Sequence, residues 1–137
     1  MYIDKELEFS DGQSVTTTAI STNVADIGVD ADVGVGRPLW AVIQVDVALD
    51  DTTGDETYVV TLETDSVAAL SSATVLGTKT FTRGDAAGTM AVIAVPDANE
   101  QFIGIRYTVG GTTPTGTWSA WLTDQEPTKW QSYADAI

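Results

Sequence analysis

Apolar and polar residues alternate in several short stretches of the chain, and the clearest alternation lies between residues 101 and 123. Two runs there, QFIGIRYTVG and TWSAWLT, carry apolar residues at every second position, which predicts two β-strands. The sequence between them supplies the glycine and proline that a chain reversal needs. The pattern therefore predicts a β-hairpin with a loop of about six residues. Its inward-facing residues are predicted to be Ile103, Ile105, Tyr107, Val109, Trp118, Ala120 and Leu122.

Two more alternating runs predict a second hairpin. They are LWAVIQVDVAL at residues 39–49 and YVVTLET at residues 58–64, and the polar sequence DDTTGDE lies between them. Residues 15–20, 74–83 and 89–95 predict further strands, because they are rich in Thr and Val and are bounded by Gly, Pro or Asn. In the strand at 74–83 we expect Val75 and Phe81 to point inward.

These patterns together predict an all-β chain. No apolar stripe at helical spacing is sustained, and residues 24–36 predict a loop-rich connection. We expect a single domain over residues 1–137, which is a β-sandwich or jelly roll of about seven or eight antiparallel strands. Residues 1–10 predict an edge strand or an N-terminal arm, and residues 124–137 predict a C-terminal tail without a clear period.

The charge balance limits the partners of the chain. Six Lys and Arg residues stand against 20 Asp and Glu residues, which gives a formal net charge of −14. Such a chain repels phosphate groups, so neither nucleic acid nor an anionic membrane surface is expected to bind it. The acidity either only maintains solubility or indicates a partner with positive charge.

The chain contains neither cysteine nor histidine. Disulfides, thiolate metal sites and imidazole-based catalysis are therefore excluded. Asp26, Asp30 and Asp32 do not have the spacing of a calcium loop, because Gly34 occupies a ligand position and no Glu closes the loop. The acids of residues 50–56 are expected to be solvated turn residues, or at most an adventitious calcium site. We expect no catalytic residue, no cofactor and no functional metal.

Nothing in the composition predicts export or membrane insertion. The sequence MYIDKELEF has no basic region followed by an apolar one, and no run is long enough to span a bilayer as a helix. The protein is therefore expected to be soluble and intracellular in origin.

The tryptophans are the most informative large side chains. Trp118 falls on the predicted core face, Trp121 falls on the opposite face of the same strand, and Trp130 lies in the tail. An aromatic residue outside the core suggests a covered surface, such as a sugar platform, a subunit contact or a host contact. Packing under a loop of the same chain is the alternative.

The order of these features resembles that of the capsid cement, or head decoration, proteins of short-tailed phages of the Bordetella-phage type. The resemblance lies in MYIDKELEFSDGQSVT, STNVADIGVDADVGVGRPLWAVIQVD, TLETDS, QFIGIRYTVGGTTPTGTWSAWLT and the tail residue Tyr133. It implies a β-sandwich or jelly roll without enzymatic activity. It also implies a symmetric oligomer, a homodimer or homotrimer, that binds the major capsid protein on the outer surface of the head.

From this resemblance we expect a virion protein that is made in the host cytoplasm and stabilises the head. The alternative is a carbohydrate- or host-binding β-sandwich module of a phage fibre. The arm and the tail are expected to make the contacts, because both lack core periodicity. The predicted capsid or inter-subunit contact residues are Tyr2, Ile3, Leu7, Phe9, Trp121, Trp130 and Tyr133.

Overall fold

The computed structural model describes residues 5–28, 38–96 and 100–124. This part of the chain forms one short 3-10 helix and nine strands, which lie in two antiparallel sheets. The elements are the 3-10 helix Lys5–Leu7 and the strands β1 Glu8–Val15, β2 Ala19–Ile20, β3 Ala25–Asp26, β4 Trp40–Val47, β5 Thr57–Asp65, β6 Thr74–Phe81, β7 Met90–Ala94, β8 Phe102–Gly110 and β9 Gly116–Thr123.

The strand order is that of a jelly roll. One sheet has the order β1-β9-β4-β7, and the second has the order β2-β8-β5-β6, with β3 also pairing with β8. The chain passes from one sheet to the other between β1 and β2, β3 and β4, β4 and β5, β6 and β7, β7 and β8, and β8 and β9, so that a four-stranded and a five-stranded layer are wound together. The predicted all-β jelly roll is confirmed.

Both predicted hairpins are wrong in their pairing, although all four strands are present. β8 pairs with β5, whereas β9 pairs with β4 and β1 in the opposite sheet; β4 and β5 are likewise in different sheets. Alternation indicates which side chains face the core, but the two layers of a sandwich direct their apolar faces at each other. A hairpin and a crossing between layers therefore leave the same pattern in the sequence.

The core between the sheets is built around Trp118, which is completely buried. Its ring stacks on that of Tyr107 with centroids 5.0 Å apart, meets Tyr58 edge-on at 5.8 Å and lies 6.4 Å from Phe81. Aromatic pairs in these geometries stabilise a core beyond the area they bury. The Tyr107 hydroxyl donates to Ser10 Oγ at 2.8 Å, and burial raises the pKa of Tyr107.

Two local irregularities change what the alternation predicts. The pairing of β5 with β6 shifts between Leu62 and Glu63. This bulge reverses the face of the sheet to which the residues of β6 on its far side point. Phe81 is therefore buried as predicted, while Val75 is 52% exposed, contrary to prediction. At the N-terminus, β1 already begins at Glu8 as an edge strand, and residues 8–10 are therefore not part of an arm.

Candidate interaction surface

The described part of the chain gives different positions to the predicted contact residues. Phe9 has no exposed surface and belongs to the core, and Trp121 is only 3% exposed, so neither is available for contact on the surface of the folded chain. Leu7 ends the 3-10 helix and is 36% exposed, which is consistent with a contact role. Tyr2, Ile3, Trp130 and Tyr133 lie outside the described residues.

Trp121 lies on the outer face of the four-stranded sheet, as the sequence predicts. The β4–β9 register pairs Ala41, Ile43 and Val45 with Leu122, Ala120 and Trp118 on the core face, and it pairs Val42 with Trp121 on the other. Directly opposed residues of antiparallel strands point to the same face of a sheet. The row through Trp121 on the outer face continues on both sides, to Glu8 of β1 and through Val42 to Val92 of β7.

One half of this outer face is apolar and the other half is polar. The apolar half contains Trp40, Val42, Val92, Ala94 and Trp121. Toward the other end of the strands the face changes to Gln44, Ser119 and Asp46, where the Ser119 hydroxyl donates to Asp46 Oδ2 at 2.5 Å. The chain thus presents a defined apolar area on a layer whose other side already forms the core.

The centre of the apolar half is covered although it does not belong to the core. Val42 is completely buried, and neither Val42 nor Trp121 is a member of the core cluster. Trp40 and Val92 are half-buried, whereas Ala94 at the margin is exposed. Trp121 therefore fits neither a free sugar platform nor a core residue.

A second candidate surface is the acidic loop end, which we define as Asp50, Asp51, Asp55, Glu56 and Asp85. These acids lie in the loops between β4 and β5 and between β6 and β7. The two loops are bound together because Leu49 N–H donates to Asp85 O at 2.9 Å and Gly84 N–H donates to Leu49 O at 3.1 Å. The only ion pair that the structure describes in this group joins Arg83 Nε and Asp51 Oδ1 at 2.9 Å.

The loop between β8 and β9 is fastened to the same end. Thr112 donates to Asp55 through its N–H at 3.1 Å and through its hydroxyl at 2.7 Å. The Tyr58 hydroxyl lies 3.0 Å from Asp50 O and accepts from Thr115 N–H at 3.2 Å. These bonds join three loops that belong to different strand crossings, and the acidic loop end is therefore a connected surface.

Hydrogen bonding keeps two carboxylates of this end, Asp55 and Glu56, ionised. The Thr53 hydroxyl, followed by the two Thr112 donors, lowers the pKa of Asp55 from its ordinary 3.8 to about 2. The Thr53 hydroxyl also contacts Glu56 and lowers the pKa of that buried carboxyl. Hydrogen bonds to the charged form favour ionisation, so these groups stay negative at neutral pH.

The outer face of the second sheet is partly closed by the loop between β5 and β6. Asp65 accepts from Ser66 N–H at 2.6 Å and from Ser72 N–H at 2.8 Å, and these backbone donors lower its pKa. The loop places Leu70 over β8, where Gly104 leaves the space that the side chain needs. Arg106 on the same face donates to both carboxylate oxygens of Glu63 and, at 2.7 Å, to Leu70 O.

The chemistry available at these surfaces is recognition by charge and shape. No group of three or more Asp, Glu, His or Cys side chains that could hold a metal ion occurs in ranges 5–28, 38–96 and 100–124. Glu56 Oε2 is buried without a hydrogen-bond partner in those ranges, and the Thr53 hydroxyl that contacts the other oxygen of Glu56 also contacts Asp55. Asp30 and Asp32 lie outside the described residues. Within those same ranges, no helix is long and apolar enough to cross a membrane.

Several of these structural roles were missed by sequence reasoning. Asp55 follows a glycine, and Asp65 follows a run of alternating residues. Such positions are typical of Asp side chains that bind nearby backbone N–H groups. That signal identifies a turn residue but does not say which distant loop it joins. The Arg106–Glu63 pair has no local signal, because the two residues lie on different strands.

Comparison with known proteins identifies a family. The model of the Bbp16 family, a family of Bordetella phage proteins, matches residues 9–122. No curated protein matches the chain.

Three solved structures align with the chain. The CBM22-1–GH10 modules of Clostridium thermocellum endo-1,4-beta-D-xylanase 10B, complexed with xylohexaose, align with 16% identity and a TM-score of 0.47, over 96% of this chain and 29% of that one. The structure of the infectious bursal disease virus Gt strain aligns with 12% identity and a TM-score of 0.38, over 85% of this chain and 30% of that one. The structure of the Gx strain aligns with 18% identity and a TM-score of 0.32, over 84% of this chain and 26% of that one. The chain thus spans less than a third of each matched chain.

Proposed function

This chain belongs to the Bbp16 family of Bordetella phage proteins, and from that membership we propose that it is a structural protein of the virion. More specifically, it is a capsid cement protein that binds the outer surface of the phage head and stabilises the contacts between major capsid proteins. The family match over residues 9–122, which includes every strand except the beginning of β1 and the end of β9, is the observation that carries the proposal.

The fold supports a scaffold role. Two sheets enclose a core of fully buried aromatic and branched residues, and hydrogen bonds join three of the loops at the acidic end. A protein that resists outward pressure on a shell needs such a rigid body, because load is carried only if the body does not deform. The fold alone does not assign this role, since jelly rolls serve many functions.

The charge distribution supports attachment by complementary charge. The chain carries a net charge of −14, and at the acidic loop end Asp51 and Asp55 are exposed while Asp50 and Asp85 are half-buried. Basic areas on the capsid would attract this surface and orient the incoming protein. Leu7 offers an exposed apolar contact at the opposite end of β9, beside the N-terminal residues.

Binding by several copies would make modest contacts sufficient. A homodimer or homotrimer that engages two or three capsid subunits converts later contacts into intramolecular ones, and the effective concentration then strengthens attachment. The proposal therefore requires an oligomer of defined mass, with the major capsid protein as its partner. It requires neither a cofactor nor a catalytic residue.

The chain is not proposed to be an enzyme. A glycoside hydrolase needs a carboxylic acid whose pKa is raised so that it can donate a proton. The described carboxyls with a displaced pKa are Asp55, Glu56 and Asp65, and in each of them hydrogen bonds lower the pKa. Each also accepts bonds that fasten a loop, which gives these acids a structural role.

The alternative function, a carbohydrate- or host-binding module of a fibre, lacks a supporting observation in the described part of the chain. A sugar platform needs exposed aromatic rings, and every aromatic side chain in residues 5–28, 38–96 and 100–124 is buried or half-buried. The exposed large apolar residues described are Leu7, Val47, Val67, Val75 and Met90, which are all aliphatic.

Co-sedimentation with phage heads that lack this protein tests the proposal. We expect saturable binding at a fixed ratio to the major capsid protein, and light scattering should give a single oligomer mass for the free protein. Heads that already carry the protein are the matched control and should take up no more. Absence of binding to bare heads, together with retention on glycans or host cells, would contradict the cement role.

A further inference from the structure

The loop between β5 and β6 lies over the outer face of the second sheet and carries one buried residue. We define residues 66–73, which form this loop, as the strap. Leu70 near its centre is only 1% exposed, whereas the other residues of the strap are exposed or half-buried. Leu70 is not a member of the core cluster between the sheets. Its burial is therefore a separate contact on the outside of the sandwich.

The Leu70 side chain occupies a space that exists because β8 has a glycine there. A Cβ at Gly104 would lie 2.8 Å from Leu70 Cδ1 and 3.2 Å from Val24 Cγ2. Carbon atoms do not approach so closely without displacing one another, so a side chain at position 104 and Leu70 compete for the same space. We call this space over Gly104 and beside Val24 the Leu70 seat.

The backbone of Leu70 is strained in this position. Among the residues that the structure describes, Leu70 is the only one other than glycine with a positive φ, which is 50°. A side chain in this left-handed region crowds the following carbonyl oxygen, and the free-energy cost is of the same order as the gain from burying one leucine. The strain and the burial oppose each other, so only a small difference in free energy holds Leu70 in its seat.

The two ends of the strap are held without the help of Leu70. Asp65, the last residue of β5, binds both of them through one carboxylate. Its Oδ1 accepts from Ser66 N–H at 2.6 Å, and its Oδ2 accepts from Ser72 N–H at 2.8 Å. These bonds fix the positions where the strap leaves the sheet and returns to it, and the tip between them is a short loop of its own.

The tip is bound to the sheet at Leu70. The side chain fills its seat, and Arg106 Nη2 donates to Leu70 O at 2.7 Å. Arg106 Nε separately binds both carboxylate oxygens of Glu63, and this ion pair involves no atom of the strap. The tip can therefore leave the sheet while the ion pair and the two ends of the strap stay in place.

Strained residues other than glycine are typical of segments that change position, because their surroundings hold them against their own preference. From the strained backbone, the seat and the fixed ends we propose that the strap has two positions on an intact sandwich. The closed position has Leu70 in its seat. In the open position the tip leaves β8, the backbone of Leu70 relaxes, and the apolar seat beside Val24 becomes accessible.

The strap thus controls whether the outer face of the second sheet is closed or presents a leucine-sized apolar seat. This inference goes beyond the proposed role at the capsid and does not depend on it. It is tested on the purified full chain alone, so its failure would leave the proposed function unchanged.

Amide hydrogen exchange measured by NMR distinguishes opening of the tip from opening of the sandwich. Leu70 N–H, which donates to Val67 O at 3.1 Å, reports the tip. Val45 N–H on β4, which donates to Thr89 O at 2.8 Å, reports the sandwich. The Leu70 amide should exchange at a rate that low concentrations of denaturant do not change, whereas exchange at Val45 should accelerate with denaturant. Equal dependence at both amides would overturn the proposal.

Gly104→Val fills the Leu70 seat and should hold the strap open. We expect the exchange rate of the Leu70 amide to rise at least tenfold. The amides of Val45 and of Ser72, which Asp65 holds, should change less than twofold. An unchanged rate at Leu70, or a rise that Val45 and Ser72 share, would show that the strap has no open position of its own.

Two substitutions at position 70 keep the test decisive if Gly104→Val disturbs β8 itself. Leu70→Ala and Leu70→Gly both empty the seat, but only glycine adopts the left-handed region without strain. After correction for intrinsic exchange, the amide of residue 70 should exchange at least tenfold faster in Leu70→Ala than in the unmodified protein. In Leu70→Gly it should exchange at least threefold more slowly than in Leu70→Ala. Equal rates in the two variants, or faster exchange in Leu70→Gly, would contradict a strained closed position.

Discussion

At the scale of single residues, the fold depends on positions that accept only one kind of side chain. Some have no room for a Cβ, and others need a positive charge beside a buried carboxylate. Gly77 on β6 faces Ile93 of β7, and a Cβ at Gly77 would lie 2.4 Å from Ile93 Cγ2. The two sheets meet at this edge, so the missing side chain is what lets Ile93 enter the core. Arg106 has a comparable role for charge, because it is the described cation beside the nearly buried Glu63.

Gly77→Ala is expected to destabilise the protein by about 1–3 kcal/mol, since overpacking forces a shift of Ile93 or of the strand. Chemical denaturation measures the change. Thr78→Ala on the next, exposed position of β6 is the matched control and should change the stability by less than about 0.5 kcal/mol. Equal effects of the two substitutions would contradict the close approach of the sheets.

Arg106→Met is expected to cost about 2–3 kcal/mol, because it leaves Glu63, whose side chain is 7% exposed, without a cation. Adding Glu63→Gln should recover part of this loss, since the buried charge is then removed as well. A double-mutant cycle measured by denaturation isolates the coupling. Additive losses would mean that the two side chains do not interact.

At the scale of elements, alternation predicted the strands β4, β5, β8 and β9 and the inward residues of β8 and β9, but not the partners of any of the four strands. Nothing local in the sequence tells whether β4 pairs with β5 or with β9. The facing of Val75 required the bulge at Leu62, which depends on a second strand. The sequence left the burial of Trp121 open for the same reason, because a face that alternation marks as outer can still be covered.

The candidate surfaces show the same division. Their composition could be predicted, because the acids of residues 50–56 and the alternating apolar residues of β4 and β9 are visible in the sequence. Their connections could not, because Asp55 reaches Thr112 across 57 positions of the chain. A loop acid that binds a neighbouring loop looks identical in sequence to one that is only solvated.

The loop contacts of Asp55 predict a pH dependence. Its pKa is about 2 in the folded chain and ordinarily 3.8, so the stabilisation is present above about pH 4 and is lost as the pH falls toward 2. Asp55→Asn should lower the stability at neutral pH and flatten the profile between pH 4 and 2. Thermal unfolding across this range measures both effects.

Asp11→Asn is the matched control for that profile, because it removes an exposed carboxylate of β1 that does not join two loops. It should leave the slope between pH 4 and 2 close to that of the unmodified protein. A profile for Asp55→Asn that follows the unmodified one would show that Thr53 and Thr112 do not hold the carboxylate.

Lys79 protects the free edge of the second sheet. β6 is the last strand of that sheet, and Lys79 pairs with the inward-facing Val60 yet is exposed. A charge in this position on an edge strand opposes pairing with another chain. Lys79→Val is therefore expected to increase concentration-dependent association in light scattering, whereas Thr78→Val should not. Unchanged scattering for Lys79→Val would contradict this role.

At the scale of the whole molecule, the features combine into an acidic jelly roll in which hydrogen bonds join three loops at the acidic loop end. The net charge of −14 and a sequence pI of about 4.1 favour a partner with basic areas. Attachment through such areas should weaken as salt rises, because a Debye length of about 10 Å at 0.1 M shortens further with ionic strength. In the proposed function this partner is the major capsid protein of the phage head.

The most direct measurement of the central claim is the release of DNA from filled heads on heating, with and without the purified protein. Heads that lack the protein are heated in steps, and a dye that binds free DNA reports their opening. A cement protein should raise the temperature of release in a saturable manner, up to the ratio at which co-sedimentation is complete. If the protein binds the heads but leaves the release temperature unchanged, it is a decoration without a cementing role, and the account is contradicted.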